Sequence, residues 1–205
     1  MSGSDGAAGV ALGYEPAGRG EARIWIPLRG SHRAGCMSDS QKKRLVNAVL
    51  EARAELETRL VLLGRDVDGL RPVDRAALQD RIAFLPADGG LLSSLNAWEN
   101  IVLPVGFHHP ERMRGVAAQV HELLEALGAD PDALLDKLPE RMSLYERKLT
   151  GYVRIVLEKP DLMLVEEPRG GPDSEERAAA ACFPAVYLEN CPGGTFVQLE
   201  VATGS

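Results

Sequence analysis

The sequence has no long hydrophobic run. Of its 205 residues 45% are hydrophobic, yet no apolar stretch approaches the roughly 18 to 20 residues that cross a bilayer. The first nine residues are small and polar and lack the charged start and apolar core of a secretory signal. The sequence therefore predicts a soluble, cytoplasmic protein.

Cysteine is scarce, and its spacing forms no pattern. The three cysteines, Cys36, Cys182 and Cys191, make no CxxC or His-paired motif, which argues against a disulfide framework and a zinc site. His108, His109 and His121 have no acidic or cysteine ligand at matching spacing. No metal site is predicted.

Positive charge is in deficit as well. The chain has 23 basic and 30 acidic residues, with a formal net charge of −7, so it has no field to hold a nucleic-acid backbone. Nucleic acid is not an expected partner.

The length of the chain suits one hydrophobic core with a small appended lobe. We predict a flexible tail over residues 1–9 and a single domain over residues 10–205.

Apolar runs and turn residues predict strands at both ends of the chain and helices in the middle. Strands are predicted at residues 10–14, 22–26, 32–37, 60–63, 82–85, 162–165 and 195–201. A helix is predicted from Asp39 or Ser40 as N-cap to the mid-fifties. Helical spacing from Trp98 to Leu138 predicts a helical subdomain, at about 95–158, inserted between strands of an α/β fold.

Two carboxylates follow a capped helix and a buried strand. Ser143-x-x-Glu146, with apolar residues at helical spacing after it, predicts a capping box and an amphipathic helix. The uniformly apolar run 162–165 is typical of a strand buried on both faces. Glu166 and Glu167 stand at its end, where open α/β sheets keep their chemistry.

The order of these motifs resembles a known family. Met142-Ser-Leu-Tyr-Glu146, a helix, Lys159-Pro-Asp-Leu-Met-Leu-Val-Glu-Glu-Pro168 and Gly171-Pro-Asp173 resemble, without a gap, the signature motif, Walker B strand, catalytic glutamate and D-loop of ABC-transporter ATPase subunits. Variants from lipid-trafficking systems resemble the chain most. The resemblance implies a P-loop NTPase-like ABC ATPase core, with an N-terminal antiparallel β region and the inserted helical subdomain.

The phosphate loop of the family is altered in this chain. Cys36-Met-Ser-Asp-Ser-Gln-Lys-Lys43 stands where the family has G-x-x-x-x-G-K-[ST]. Cys36 and Gln41 replace the two glycines, which allow consecutive N–H groups to turn toward phosphate. Lys43 replaces the hydroxyl that binds magnesium, and its ammonium would repel the ion. Lys42 is retained at the position of the phosphate-binding lysine.

The resemblance assigns the remaining roles residue by residue. Glu166 stands for the magnesium-binding aspartate and Glu167 for the general base. The residues left for the other contacts are Ser38, Ser40 and Lys42 for the phosphates, Tyr14 for adenine and Ser143 for the signature motif. Leu144 and Tyr145 add bulk to the signature motif. Pro86 takes the position of the Q-loop glutamine, and no switch histidine follows the last strand. Binding of ATP and magnesium is therefore expected to be weak or absent.

Simpler interpretations exist for the retained residues. Lys42 can be a solvated lysine among basic neighbours, and Ser143 a helix N-cap alone. Glu166 and Glu167 can be an inherited pair of strand-end carboxylates. A strand-end tyrosine such as Tyr14 is more often part of a core than of a binding site.

These observations favour a catalytically degenerate ABC-ATPase-like subunit of a transport system, with a structural or regulatory role. The expected partners are a membrane permease subunit, a second ABC ATPase subunit, or a second copy in a dimer, at the inner face of the membrane. Two alternatives stay open. One is a slow but active ATP hydrolase using Lys42, Glu166 and Glu167, and the other is a free-standing scaffold or binding protein.

One apolar stretch is a candidate partner surface. Leu91, Leu92, Trp98, Val102 and Val105 lie in the region that, in the family this chain resembles, lines the groove for the permease's coupling helix. Large apolar residues in a connecting segment either close over the core or await a partner. The second interpretation requires that Trp98 is not fully buried.

Overall fold

The computed structural model describes residues 8–16, 21–167 and 180–201. The chain divides into two compact units: the first contains residues 1–84, 160–166 and 192–205, and the second contains 85–159 and 167–191. Most of the predicted tail, the D-loop segment Gly171-Pro-Asp173 and the last four residues lie outside the described residues.

The first unit contains an antiparallel sheet. Its strands are β1 (Val10–Glu15), β2 (Ile24–Pro27), β4 (Arg59–Leu62) and β5 (Arg65–Asp66). They lie in the order β2-β1-β4-β5, with each pair antiparallel. This sheet confirms the predicted N-terminal β region.

A second sheet carries the strands on which the candidate site depends. It consists of β3 (Gly30–Cys36), β6 (Ile82–Leu85), β7 (Leu162–Glu166) and β8 (Thr195–Val201), in the order β3-β8-β7-β6. Strand β8 runs parallel to both β3 and β7, and its register pairs Val201 with Cys36 and Leu199 with Glu166. The carboxyl ends of β3 and β7 therefore meet at one edge of the sheet.

Helix α1 (Asp39–Glu51) completes the core of the first unit. Its N-cap is Ser38, so the predicted N-cap, Asp39 or Ser40, is wrong by one or two residues. One face of α1 is buried at Leu45 and Val49, and it packs with apolar side chains of both sheets. Helix α2 (Pro72–Gln79) follows β5.

The second unit is helical. Its helices are α3 (Ala97–His108), α4 (Val116–Ala126), α5 (Pro131–Leu134), α6 (Leu144–Glu158) and α7 (Phe183–Asn190), with short 3-10 turns at Pro110–Met113 and Pro139–Arg141. Buried Asn100 donates to the carbonyls of Leu92, Leu95 and Asn96 and so ties the preceding loop to α3. The hydroxyl of Tyr152 donates to the Phe183 carbonyl at 2.6 Å.

The predicted α/β fold is confirmed, but the sequence analysis did not predict three of its elements, β5, α2 and α7. Strand β5 has only two residues, and α2 buries a single side chain, Leu78, so neither has a readable apolar pattern. Helix α7 has apolar residues on most sides, so no single face stands out. Among residues 8–16, 21–167 and 180–201, no helix combines the length and apolar character needed to cross a membrane.

Candidate functional site

The connection from β3 to α1 is only two residues long. Strand β3 ends at Cys36 and α1 begins at Asp39, so Met37 and Ser38 alone lie between them. The hydroxyl of Ser38 accepts the backbone N–H of Gln41 at 3.1 Å, as an N-cap does. The first turn of a helix thus occupies part of the segment that stands where the family has its phosphate loop.

Two other predicted nucleotide-binding residues are bound to Arg44. The Ser40 hydroxyl accepts from the guanidinium at 2.9 Å. Tyr14 is buried in the core of the first unit, and its hydroxyl interacts with the same arginine. Burial raises the pKa of Tyr14, and Arg44 opposes that shift. The structure therefore places the Tyr14 ring among core side chains and not on an open face where adenine could stack.

Gln41, at the position of the second glycine, is fully buried. Its carbonyl oxygen accepts the backbone N–H of Met37 at 2.8 Å and that of Ala22 at 3.3 Å. Its amide nitrogen donates to the carbonyl of Ala22 at 2.7 Å. Only one orientation of the amide satisfies all three contacts.

Lys42 is buried in an ion pair. Its side chain is 7% exposed, and Nζ lies 2.5 Å from Oε1 of Glu166 and 3.6 Å from Oδ1 of Asp39. A buried ammonium requires such partners because desolvation of an unpaired charge is very costly. The interpretation of Lys42 as a solvated lysine is therefore wrong. The parallel register of β3 and β7 brings the two ends of this pair together.

A cleft of about 220 Å³ opens beside the ion pair. It is lined by Lys42, Lys43, Val46, Asn47, Phe84 and Glu166. Lys43 is exposed, so two lysines, one buried and one exposed, and one glutamate line this cleft. Its volume is below the roughly 300 Å³ at which ordinary small-molecule pockets begin.

These side chains, as arranged, do not fit a magnesium nucleotide. The Met37 N–H is turned to Gln41 and not toward a phosphate. Lys42 is held by carboxylates, and Lys43 offers magnesium a positive charge where the family has a hydroxyl. In the described ranges, no group of three or more His, Cys, Asp and Glu side chains could hold a metal ion.

The signature segment begins α6 in the second unit. The Ser143 hydroxyl accepts the Glu146 N–H at 3.1 Å, and the Glu146 carboxylate accepts the Ser143 N–H at 2.8 Å, which confirms the predicted capping box. Burial would raise the pKa of Glu146, but Lys137 and the Ser143 N–H lower it overall. Leu144 is exposed, and the Tyr145 ring stacks near Phe183.

Glu167 has a buried cation beside it in the second unit. The ammonium of Lys148 lies 3.8 Å from its carboxylate, and the Lys148 side chain is only 6% exposed. Sequence reasoning missed Lys148. A lysine directly before the buried Leu149, on a helix with a wide apolar face, was the available signal.

The segment after β6 is hydrogen-bonded to α6 and packs closely against it. Gly89 and Gly90 both have positive φ, and their carbonyls accept hydrogen bonds from Arg154 at 3.2 and 3.0 Å. A Cβ at Gly151 would lie 2.2 Å from the Gly89 oxygen. Pro86, at the Q-loop position, therefore begins a segment whose backbone carbonyls contact Arg154 and Gly151 of α6.

An apolar groove lies along α3. It has a volume of about 450 Å³ and is lined by Leu95, Glu99, Val102, Leu103, Gly106, Phe107 and Met113. Phe107 is 80% exposed. Of the residues predicted for a partner surface, Leu92 is exposed and Leu91 and Trp98 are partly buried, but Val105 is buried in the core. The inclusion of Val105 is therefore wrong, since it faces inward from α3.

The chain is similar in sequence to proteins that are named as ATP-binding. The chain is 30% identical to the macrolide export ATP-binding/permease protein MacB of Rhodopirellula baltica, over 83% of this chain and 24% of that protein. It is 32% identical to the lipoprotein-releasing system ATP-binding protein LolD of Novosphingobium aromaticivorans, over 66% of this chain and 60% of LolD. The chain thus spans less than two thirds of either relative. No protein-family model matches it.

Solved structures agree on the fold. CbiO1 of Clostridium perfringens, part of the ABC transporter complex CbiONQ, superposes with a TM-score of 0.68 at 16% identity, over 88% of this chain and 70% of CbiO1. The ATP-binding cassette MJ0796, in a dimer bound to ADP and phosphate, superposes with a TM-score of 0.64 at 16% identity, over 93% of this chain and 86% of that one.

Proposed function

The chain is related in sequence to the ATP-binding subunits of ABC transporters and has the fold of their ATPase domains, and from this we propose that it is a non-hydrolysing member of such a transport system. Its role is to dock on a membrane permease subunit or a second ATPase subunit, at the inner face of the membrane. There it supplies a fixed surface and not an ATP-driven motion.

The ion pair of Lys42 with Glu166 is the observation that carries this proposal. In the family the chain resembles, these two positions hold the nucleotide phosphates and magnesium. Here the two side chains neutralise each other at 2.5 Å. A nucleotide must break this pair before it can bind, and it meets Lys43 in place of a magnesium ligand. Without one charge-assisted hydrogen bond to phosphate, binding is weaker by about 1.5 to 3 kcal/mol.

We expect Mg-ATP to bind no more tightly than about millimolar, because the absence of two or three such hydrogen bonds weakens binding by orders of magnitude. Isothermal calorimetry with and without magnesium measures this directly. Turnover of the wild-type chain and of Glu167→Gln provides the control, and both rates should remain at background. Micromolar binding that magnesium strengthens, or a reproducible rate that falls tenfold in Glu167→Gln, would support the alternative of a slow ATP hydrolase.

The groove on α3 is the surface proposed for docking. Its lining is apolar except for Glu99, and Phe107 and Leu103 expose large apolar side chains beside each other on one helix. A contiguous apolar patch on a protein surface is typical of a protein interaction site. An apolar helix of a permease subunit would bury these side chains.

Phe107→Glu should reduce recovery of the chain with detergent-solubilised membranes at least tenfold, because it places a charge in the proposed interface. Leu56→Glu is the matched control, since Leu56 is also highly exposed but belongs to the first unit and does not line the groove. The measurement is co-purification from cells that express the chain with the proteins encoded beside it. Equal recovery of the two variants would contradict docking through this groove and favour the scaffold alternative.

A further inference from the structure

The amide of Gln41 acts within the protein as a peptide group would. It exchanges both an N–H and a C=O with Ala22, as paired residues do in an antiparallel sheet. The same carbonyl oxygen accepts the Met37 N–H, so both of its lone pairs are used. The side chain is fully buried, and removal of its amide would leave the Met37 N–H and both backbone polar groups of Ala22 without this internal partner.

Three segments are joined by this one side chain. Ala22 lies before β2, Met37 follows β3, and Gln41 belongs to the first turn of α1. Ser38 strengthens the arrangement from the other side, since its hydroxyl caps the Gln41 N–H. The connection between β3 and α1 therefore has little freedom to change its backbone conformation.

A backbone N–H that donates to an internal acceptor is not available to an external one. The Met37 N–H is held at 2.8 Å by Gln41. An external anion would have to displace an acceptor that is covalently tethered, and so present at a high effective concentration. The internal amide therefore has an advantage over any ligand in solution.

We propose that Gln41 is a built-in ligand of the β3–α1 connection, an autoinhibitory contact that holds this segment in one conformation whether or not nucleotide is present. The proposal deepens the proposed function and rests on it for the identity of the excluded ligand, a nucleoside triphosphate. We call the hydrogen-bonded contact of Gln41 with Ala22 and Met37 the lock. It involves no other molecule and can be tested without any ligand.

The test is amide hydrogen exchange followed by NMR. Gln41→Leu introduces an apolar side chain of similar size that makes no hydrogen bonds, and in this variant the Met37 and Ala22 amides should exchange about tenfold faster than in the wild type. Val49→Ala is the matched control, since it removes buried volume from the same helix without touching the amide. The two amides should exchange in Val49→Ala at the wild-type rate.

The outcomes separate the lock from the proposed function. Met37 and Ala22 amides that exchange equally in Gln41→Leu and the wild type would overturn the lock. If Gln41→Leu does not fold, Gln41→Asn serves instead, since its shorter side chain cannot reach both partners, and unchanged exchange there would overturn the lock too. Micromolar Mg-ATP binding by the wild type, with the Met37 amide still protected, would refute the proposed function and leave the lock standing.

Discussion

Replacement of Gly151 by alanine is expected to destabilise the protein by about 3 kcal/mol or more, at the upper end of the cost of overpacking. A Cβ at Gly151 would lie 2.2 Å from the Gly89 oxygen, and one at Gly89 would lie 2.1 Å from the Arg147 oxygen. Both collisions are with backbone atoms, which cannot rotate away as a side chain can. The Gly89 segment or helix α6 must shift, and the two hydrogen bonds of Arg154 are strained with it.

The free energy of unfolding from denaturant titrations measures the effect. Gly106→Ala is the matched control, because Gly106 also lies inside a helix of the second unit and its Cβ would make only an ordinary 3.8 Å contact with Met113. That change should stabilise the protein by about 0.5 to 1 kcal/mol through helix propensity. If Gly151→Ala matched the wild type within about 0.5 kcal/mol, the segment would not be packed on α6 as described.

Removal of either charge of the Lys42–Glu166 pair should also be costly. Glu166→Gln leaves a 7% exposed ammonium with the more distant Asp39 as its one charged partner among the described residues, and we expect a loss of stability of about 3 kcal/mol. Lys42→Met keeps the apolar stem but leaves two carboxylates together. Because both are partly exposed to water, we expect a smaller loss, of about 2 kcal/mol.

The double variant Lys42→Met/Glu166→Gln tests the pair itself. It removes both charges, so its loss of stability should be smaller than the sum of the single losses by at least about 1 kcal/mol. Arg33→Met is the control, since Arg33 pairs with Glu200 at 2.9 Å but is 72% exposed, and a pair of that kind contributes little. Additive losses in the cycle would mean that Lys42 and Glu166 do not interact in solution, and the main support for the proposed function would be gone.

Local sequence signals predicted most of the elements correctly. The apolar run before Glu166 corresponds to β7, and Ser143 with Glu146 forms the expected capping box. Such signals suffice because a buried strand and a helix cap each depend on residues within a few positions of one another. Helix α2 buries only Leu78 and has no side-chain cap, so its local signals are limited to Pro72 at its first position and Asp74 in its first turn.

The sequence by itself determined which residue types stand at the altered motif positions, and hence that Gln41 and Lys43 replace a glycine and a hydroxyl. Only the tertiary structure decided what those residues do instead. Gln41 bonds to Ala22, 19 positions away, and Lys42 meets Glu166 across a parallel sheet. Neither contact leaves a periodic signal in the chain. The register of the parallel strands brings Lys42 and Glu166 together, and the packing of α1 against the segment before β2 brings Gln41 to Ala22.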